Sequence, residues 1–187
     1  MQRAFYFLLA VFLLSSCRKD ETSIDFTLPD KTQTGQNTIG FNLDGKVWTK
    51  YGQRCFLFNG GCKENPVTIY RTSNNGDIIF YSDRILYKEG IRKNDETFGF
   101  YKYQGFAVNQ IHNIKFIDNF SDVYFRDEIT GKIYSCTDTR ETFQIRISKL
   151  DTTNNILAGE FSGVLFNKVD ITDSIIITDG RFDLSLK

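Results

Sequence analysis

Over residues 142–148 apolar and polar side chains alternate without a break: Phe143, Ile145 and Ile147 share one parity, Thr142, Gln144, Arg146 and Ser148 the other. A period of two predicts a strand with one buried face. The alternation returns at 181–187, where Phe182, Leu184 and Leu186 interleave with Arg181, Asp183, Ser185 and Lys187. Segments 157–166 and 174–178 predict two more strands, and the polar breaks at 151–155 and 168–170 supply turns for an antiparallel meander. Upstream, 39–43 and 46–50 flank Asp44-Gly45, a pair whose tolerance of positive φ suits a tight hairpin. Runs at 67–72, 77–82, 97–103, 114–117, 123–128 and 132–136, with turn residues at Asn74-Asn75-Gly76 and Thr130-Gly131, bring the strands to about twelve. Only 82–87 allows a helix, and Lys88-Glu89-Gly90 would end it within a turn or two. Thr, Ile, Phe and Tyr dominate the runs, as strands favour. The expected fold is all-β, a single antiparallel β-sandwich or a closed barrel.

The start of the chain has another pattern. After Arg3, residues 4–14 are apolar, then come Leu14-Ser15-Ser16-Cys17 and the charged Arg18-Lys19-Asp20-Glu21. A membrane span needs about 20 apolar residues, so this run is too short to cross and reads as a secretory signal. Leu-Ser-Ser-Cys resembles the lipobox of bacterial lipoproteins, in which the Cys thiol receives a diacylglycerol and the signal is cut just before it. That resemblance makes Cys17 the first residue of the mature protein and its link to a membrane. One acyl chain gives reversible binding at about 0.8 kcal/mol per buried CH₂, so several chains on one Cys hold far more firmly. The expected organisation is a signal peptide at 1–16, the lipidated Cys with a flexible polar linker at 17–38, and an all-β domain at 39–187. The linker assignment rests on a polar stretch without apolar periodicity that holds one of the chain's two prolines.

Cleavage would remove one charge, Arg3, leaving 22 Lys+Arg against 23 Asp+Glu over 171 residues. A neutral chain without a basic run carries no electrostatic footprint for nucleic acid. Beyond Cys17, three cysteines remain. Cys55 and Cys62 are nearest in sequence and are expected to pair in an oxidising compartment, with Cys136 left as a buried free thiol or an intermolecular partner. The alternative is three reduced cysteines packed as small hydrophobes. The Cys-x6-Cys spacing does not match zinc sites, and His112 is the one histidine, so no metal is expected.

Catalytic signatures are missing. There is no Gly-x-Ser-x-Gly elbow and no His-Glu-x-x-His pair. His112 has no orienting partner in the sequence and reads as a solvated loop residue. Carboxylates are plentiful, which keeps a two-carboxylate glycosidase as a third reading behind a non-enzymatic role; Asp170, Asp173 and Asp179 lack a repeated ligand spacing and read as turn residues, and no cofactor is expected. Aromatic residues are the positive feature: 18 Phe, nine Tyr and one Trp. Trp48, Tyr51, Tyr101 and Tyr103 are the candidates for stacking on a sugar or lining an apolar pocket. The competing reading, which strand propensity favours, has neighbouring strands covering both aromatic faces.

The blocks LPDKTQTGQNTIGFNLDGKVWTK at 28–50, ISKLDTTNNILAGEFSGVLFN at 147–167 and ITDGRFDL at 177–184 resemble a family of Bacteroidota envelope lipoproteins of unknown function. Those proteins share an LP-x-x-TQTG-x-NT start soon after the lipidated Cys, an Asn/Asp-Gly-Lys turn and a final DGRFD strand. The resemblance implies an outer-membrane lipoprotein with a lipocalin-like β-barrel, and it carries no catalytic residues to transfer. Lys19-Asp20-Glu21 resembles the signal that sends such lipoproteins to the outer face, which implies surface exposure; otherwise the domain faces the periplasm. The functional expectation is a non-enzymatic binding module for a small ligand, glycan or protein. The alternative is an accessory subunit of an outer-membrane assembly.

Overall fold

In the computed structural model the alternating runs become strands. The structure describes residues 20–56, 61–64, 67–71, 78–102, 107–114, 116–117, 120–121, 123–136 and 143–186. The signal peptide, Cys17 and Tyr103 lie outside the described residues. In chain order the strands are β1 (Thr38–Leu43), β2 (Lys46–Thr49), β3 (Gln53–Phe56), β4 (Gly61–Glu64), β5 (Val67–Arg71), β6 (Ile78–Lys88), β7 (Ile91–Lys102) and β8 (Ile111–Ile114). They continue as β9 (Phe116–Ile117), β10 (Phe120–Ser121), β11 (Val123–Asp127), β12 (Lys132–Ser135), β13 (Phe143–Asp151), β14 (Ile156–Asn167) and β15 (Ser174–Ser185).

One curled antiparallel sheet, a half-barrel, runs β2-β1-β15-β14-β12-β11-β7-β6-β5. β14 branches: its first part pairs with β13, which carries β8, and its last residues pair with β12. The expectation of an all-β fold holds. The helix allowed at 82–87 is instead the second half of β6, which pairs with β7 from Ile78 to Lys88. Ladder pairing overrides the local ambiguity, as tertiary context commonly does.

The concave side is filled by rings. Phe41 stacks on Trp48 at 4.6 Å and meets Phe98 at 5.0 Å, and Phe98 stacks on Phe161 at 5.0 Å. Phe80 approaches Phe182 at 5.3 Å, so six strands contribute to one aromatic core. A fully buried side chain of this size contributes about 1.5–3 kcal/mol each.

The β2 end of the sheet is joined to β6 and β7 by side chains and a bridge at Tyr51. Past β2, the backbone of Tyr51 donates to the Asp83 carbonyl at 3.1 Å and accepts from Ile85 at 2.9 Å. Gly52 makes this approach possible: it sits at φ 86°, and a Cβ there would lie 2.3 Å from the Ile85 carbonyl oxygen. Inside the curl, the Glu96 carboxylate accepts from Trp48 Nε1 at 2.8 Å, Arg84 Nε at 2.7 Å and Asn94 Nδ2 at 2.9 Å. Arg84 also donates to the Val47 carbonyl at 3.1 Å. Thus β2 is stitched to β6 and β7 without a ladder. The edge of β6 is covered in sequence by β5, by Tyr51 and, at the Tyr87 amide, by the Glu21 carboxylate, which removes a free edge for strand addition.

Three departures from the sequence expectation have physical causes. First, 174–178 and 181–187, expected as separate strands, form one strand, β15. Its parity flips at a bulge: Ile175 and Ile177 are buried before it, Phe182 and Leu184 after it, and Asp179 between them adopts φ 53°. A bulge inserts one residue and shifts every later side chain to the other face. Second, the β3–β4 hairpin was not expected from the pattern, because its side chains alternate only weakly and all four residues of β4 are exposed. Third, the segment assigned to a flexible linker is, from Asp20 on, a strap laid on the barrel. Phe26 meets the Tyr51 ring edge-on at 5.4 Å, and Pro29 occupies the space a Cβ on Gly40 would need. Thr32 through Gln36 then wrap the Asp183 carboxylate. A polar segment can dock when its backbone donors find a buried acceptor.

Candidate functional site

The four aromatic candidates do not come together. Trp48 has no exposed surface and serves the core, its indole N–H committed to Glu96. Tyr51 is half-buried beneath Phe26 on the strap. Tyr101 is half-buried on the opposite face of β7 from Phe98 and Phe100, 5.9 Å from the ring of Tyr124. Burial, then the nearby Tyr101 hydroxyl, pushes the Tyr124 phenol well above its ordinary value, so it stays neutral. Tyr103 lies outside the described residues. Aromatic side chains in strands were thus mostly core formers and cross-strand partners, as their β-propensity implies.

Cys55 and Cys62 face each other across β3 and β4 and form a disulfide, whereas Cys136 is buried and lies outside any disulfide. The disulfide steadies a hairpin that covers the convex face of β6 and β7. From it Arg54 reaches Asp83 at 2.8 Å and Asp95 at 2.8 Å. Asp83 also accepts from Thr97 Oγ1 at 2.6 Å, and Asp95 from Arg92 at 2.6 Å. Burial tends to pull the Arg54 guanidinium down, but the hydrogen bonds and charges of the two aspartates outweigh it and hold it above its ordinary value. This ion-pair network ties the hairpin to β6 and β7. Thiol counting on residues 20–187 is expected to find one titratable thiol on unfolding without reductant and three with it.

The other carboxylates singled out in the sequence hold turns. Asp170 accepts from Thr172, and Asp173 accepts from Lys132 at 2.8 Å and Asn167 at 2.9 Å. The hydrogen bonds from Lys132 and Asn167 keep the Asp173 carboxyl below its ordinary value. Asp179 accepts from Asn42 beside the β15 bulge. His112 sits on β8 with Nε2 3.1 Å from the Ala107 carbonyl.

A surface feature with room for a ligand is a groove across β13, β14 and β15. Register sets Arg146, Glu160 and Arg181 side by side on three adjacent strands, with Gln144 beside Ser162 in the next row. The strap forms one wall, where Lys31 pairs with Glu160. Asn109 and the exposed Ile111 stand on the opposite side. Two adjoining hollows of about 330 and 290 Å³ share Lys31, Arg146 and Glu160, so they make one continuous trough. Arg181 donates to the backbone carbonyls of Asp179 and Pro29, which fixes its guanidinium without neutralising it. Arg146 is exposed. Its floor therefore offers paired cations, a carboxylate and neutral amide and hydroxyl groups, the mix that orients a polar ligand.

Sequence reasoning missed this groove. The alternation at 142–148 did place Gln144 and Arg146 on the solvent face, but only register across the β15 bulge brings Arg181 alongside. A further hollow of about 430 Å³, lined by Lys50, Lys63 and Val67 among others, lies near the start of β1. There burial, then the charge of Lys63, pulls the Lys50 ammonium below its ordinary value.

No curated protein and no solved structure matches the chain. Residues 99–185, from within β7 through the end of β15, match the model of a family described as a domain of unknown function, DUF5025, a similarity that takes in the groove's strands but not the strap or the Arg54 network.

Proposed function

We propose that this protein is a lipid-anchored envelope lipoprotein that binds a glycan in the groove of β13, β14 and β15. The observation that carries the reading is the row Arg146–Glu160–Arg181, walled by Lys31 and flanked by Gln144, Ser162 and Asn109. Planar guanidinium, carboxylate and amide groups at strand spacing make bidentate hydrogen bonds to neighbouring hydroxyls, and an open trough accepts a chain rather than a single small molecule. The anchor part rests on the lipobox resemblance at Cys17, and the Cys55–Cys62 disulfide fits an oxidising compartment outside the cytoplasm. The role is binding rather than catalysis, since the buried acids Asp83, Asp95 and Glu96 are engaged by arginines. Cys17→Ser is expected to release the protein from the membrane fraction.

The groove is tested by titrating the chain with defined neutral and carboxylated oligosaccharides and comparing Arg146→Ala. The expected result is a loss of about tenfold or more in affinity, the effect of a residue worth 1–2 kcal/mol at an interface. The melting temperature should hardly move, because Arg146 is exposed. Unchanged affinity in the variant would exclude this groove as the binding site.

A further inference from the structure

We infer that one end of the barrel, the end bearing the turns after β1, β6, β11 and β14, lies against the lipid surface with its aliphatic tips in the headgroup layer. The inference rests on the Cys17 anchor proposed above and adds an orientation to it. β1, β6, β11 and β14 all run in the same direction, so the turns at 44–45, 89–90, 128–131 and 168–173 gather at one end. Ile129, Val169 and Ile171 lie in the last two of those turns and Ile91 opens β7 directly after the 89–90 turn; they are 52%, 96%, 54% and 59% exposed. Branched aliphatics repeated at turn tips are unusual, because turns normally take Gly, Asn, Asp and Ser.

The path of the chain says what covers them. The strap is held at Asp20, 3.9 Å from Lys88, and at Glu21, whose carboxylate accepts the Tyr87 amide. Lys88 in turn pairs with Ile91 across the β6–β7 hairpin. Because the strap is docked from Asp20 on, only Arg18 and Lys19 separate it from Cys17. Three residue steps span at most about 11 Å. A Cys17 embedded by its acyl chains therefore draws this end, and not the end bearing the 152–155 turn, to the interface. Charge does not oppose the approach: exposed Lys46, Lys93 and Lys168 are interspersed there with exposed Glu89, Glu128 and Asp170. Apolar insertion, with no strong demand for anionic lipid, is the expected mode.

The test uses the full lipidated chain in native membranes, with an environment-sensitive fluorophore on Val169→Cys, Ile91→Cys or, as a control at the far end, Thr153→Cys. The expected result is a blue-shifted emission and loss of quenching by aqueous iodide at 169 and 91, with 153 fully quenched. Labels at 169 and 91 that remain as water-exposed as 153, in protein recovered with the membrane, would overturn the orientation while leaving the anchor intact. Protein absent from the membrane fraction would overturn the anchor and the orientation together.

Discussion

Glu96→Ala is expected to lower stability by about 3–5 kcal/mol, the cost of removing one partner from a buried ion pair. The side chains of Arg84 and Glu96 are 12% and 10% exposed, and the carboxylate also accepts the indole N–H of the fully buried Trp48. Truncation strands a guanidinium, an indole donor and the Asn94 amide at once, in the place where β2 meets β6 and β7 without a ladder. The melting temperature should fall by roughly 6–20 °C, given about 2–4 °C per kcal/mol for a domain of this size. Glu96→Gln, which keeps an acceptor for Trp48 but loses the charge beside Arg84, should fall between. Urea unfolding at neutral pH measures both. A loss under 1 kcal/mol for the alanine variant would mean that this join does not hold the curl together.

The second large effect is expected at Asp183. Its carboxylate accepts from Thr32 Oγ1 at 2.7 Å and from the amides of Thr34, Gly35 and Gln36 at 3.0, 2.7 and 3.3 Å. Asp183→Ala leaves those donors facing an apolar methyl and should cost about 2–4 kcal/mol, with the strap released. Hydrogen exchange at Thr34 and Gly35 would report the release directly. Burial alone would raise the Asp183 carboxyl, but the hydrogen bonds from Thr32, Thr34, Gly35 and Gln36 outweigh it and hold the folded value below the ordinary one. A depressed folded pKa stabilises the native state above the unfolded value of about 3.9, and that contribution drains away as pH falls through the folded value. The gap between wild type and Asp183→Ala should therefore be full at pH 5 to 7 and narrow as the pH drops below about 4. A gap independent of pH would show that the charge contributes nothing.

Much of this architecture was legible in period-two patterning. The strands around 39–50, 143–147 and 156–166 follow their apolar positions closely, because each has one face against a continuous aromatic core. The pattern failed where the physics is not periodic. The bulge at Asp179 reversed the parity of β15, and the polar strap carries no core face to announce itself. In the strap the sequence did hold a clue: TQTG and the final DGRFD stood out as related motifs, yet nothing in a linear reading says that Asp183 of one is the acceptor for the other. The groove was invisible for the same reason, since Lys31, Arg146, Glu160 and Arg181 become neighbours only through register. The aromatic candidates misled because the property that makes Trp48 attractive as a sugar platform, its large apolar face, also makes it the best residue to bury.

The clasp at Asp183 sets an order of events for a chain that emerges N-terminus first. Thr32 is made 151 residues before the carboxylate it grips, and β1 waits nearly as long for β15, its principal partner. Until β15 appears, the strap has no acceptor and β1 has only the short hairpin to β2. Contacts of such sequence separation form slowly, because loop closure precedes any gain from pairing. In a chain of this design the strap and β1 therefore latch last, once nearly all of the other strands are in place to close against.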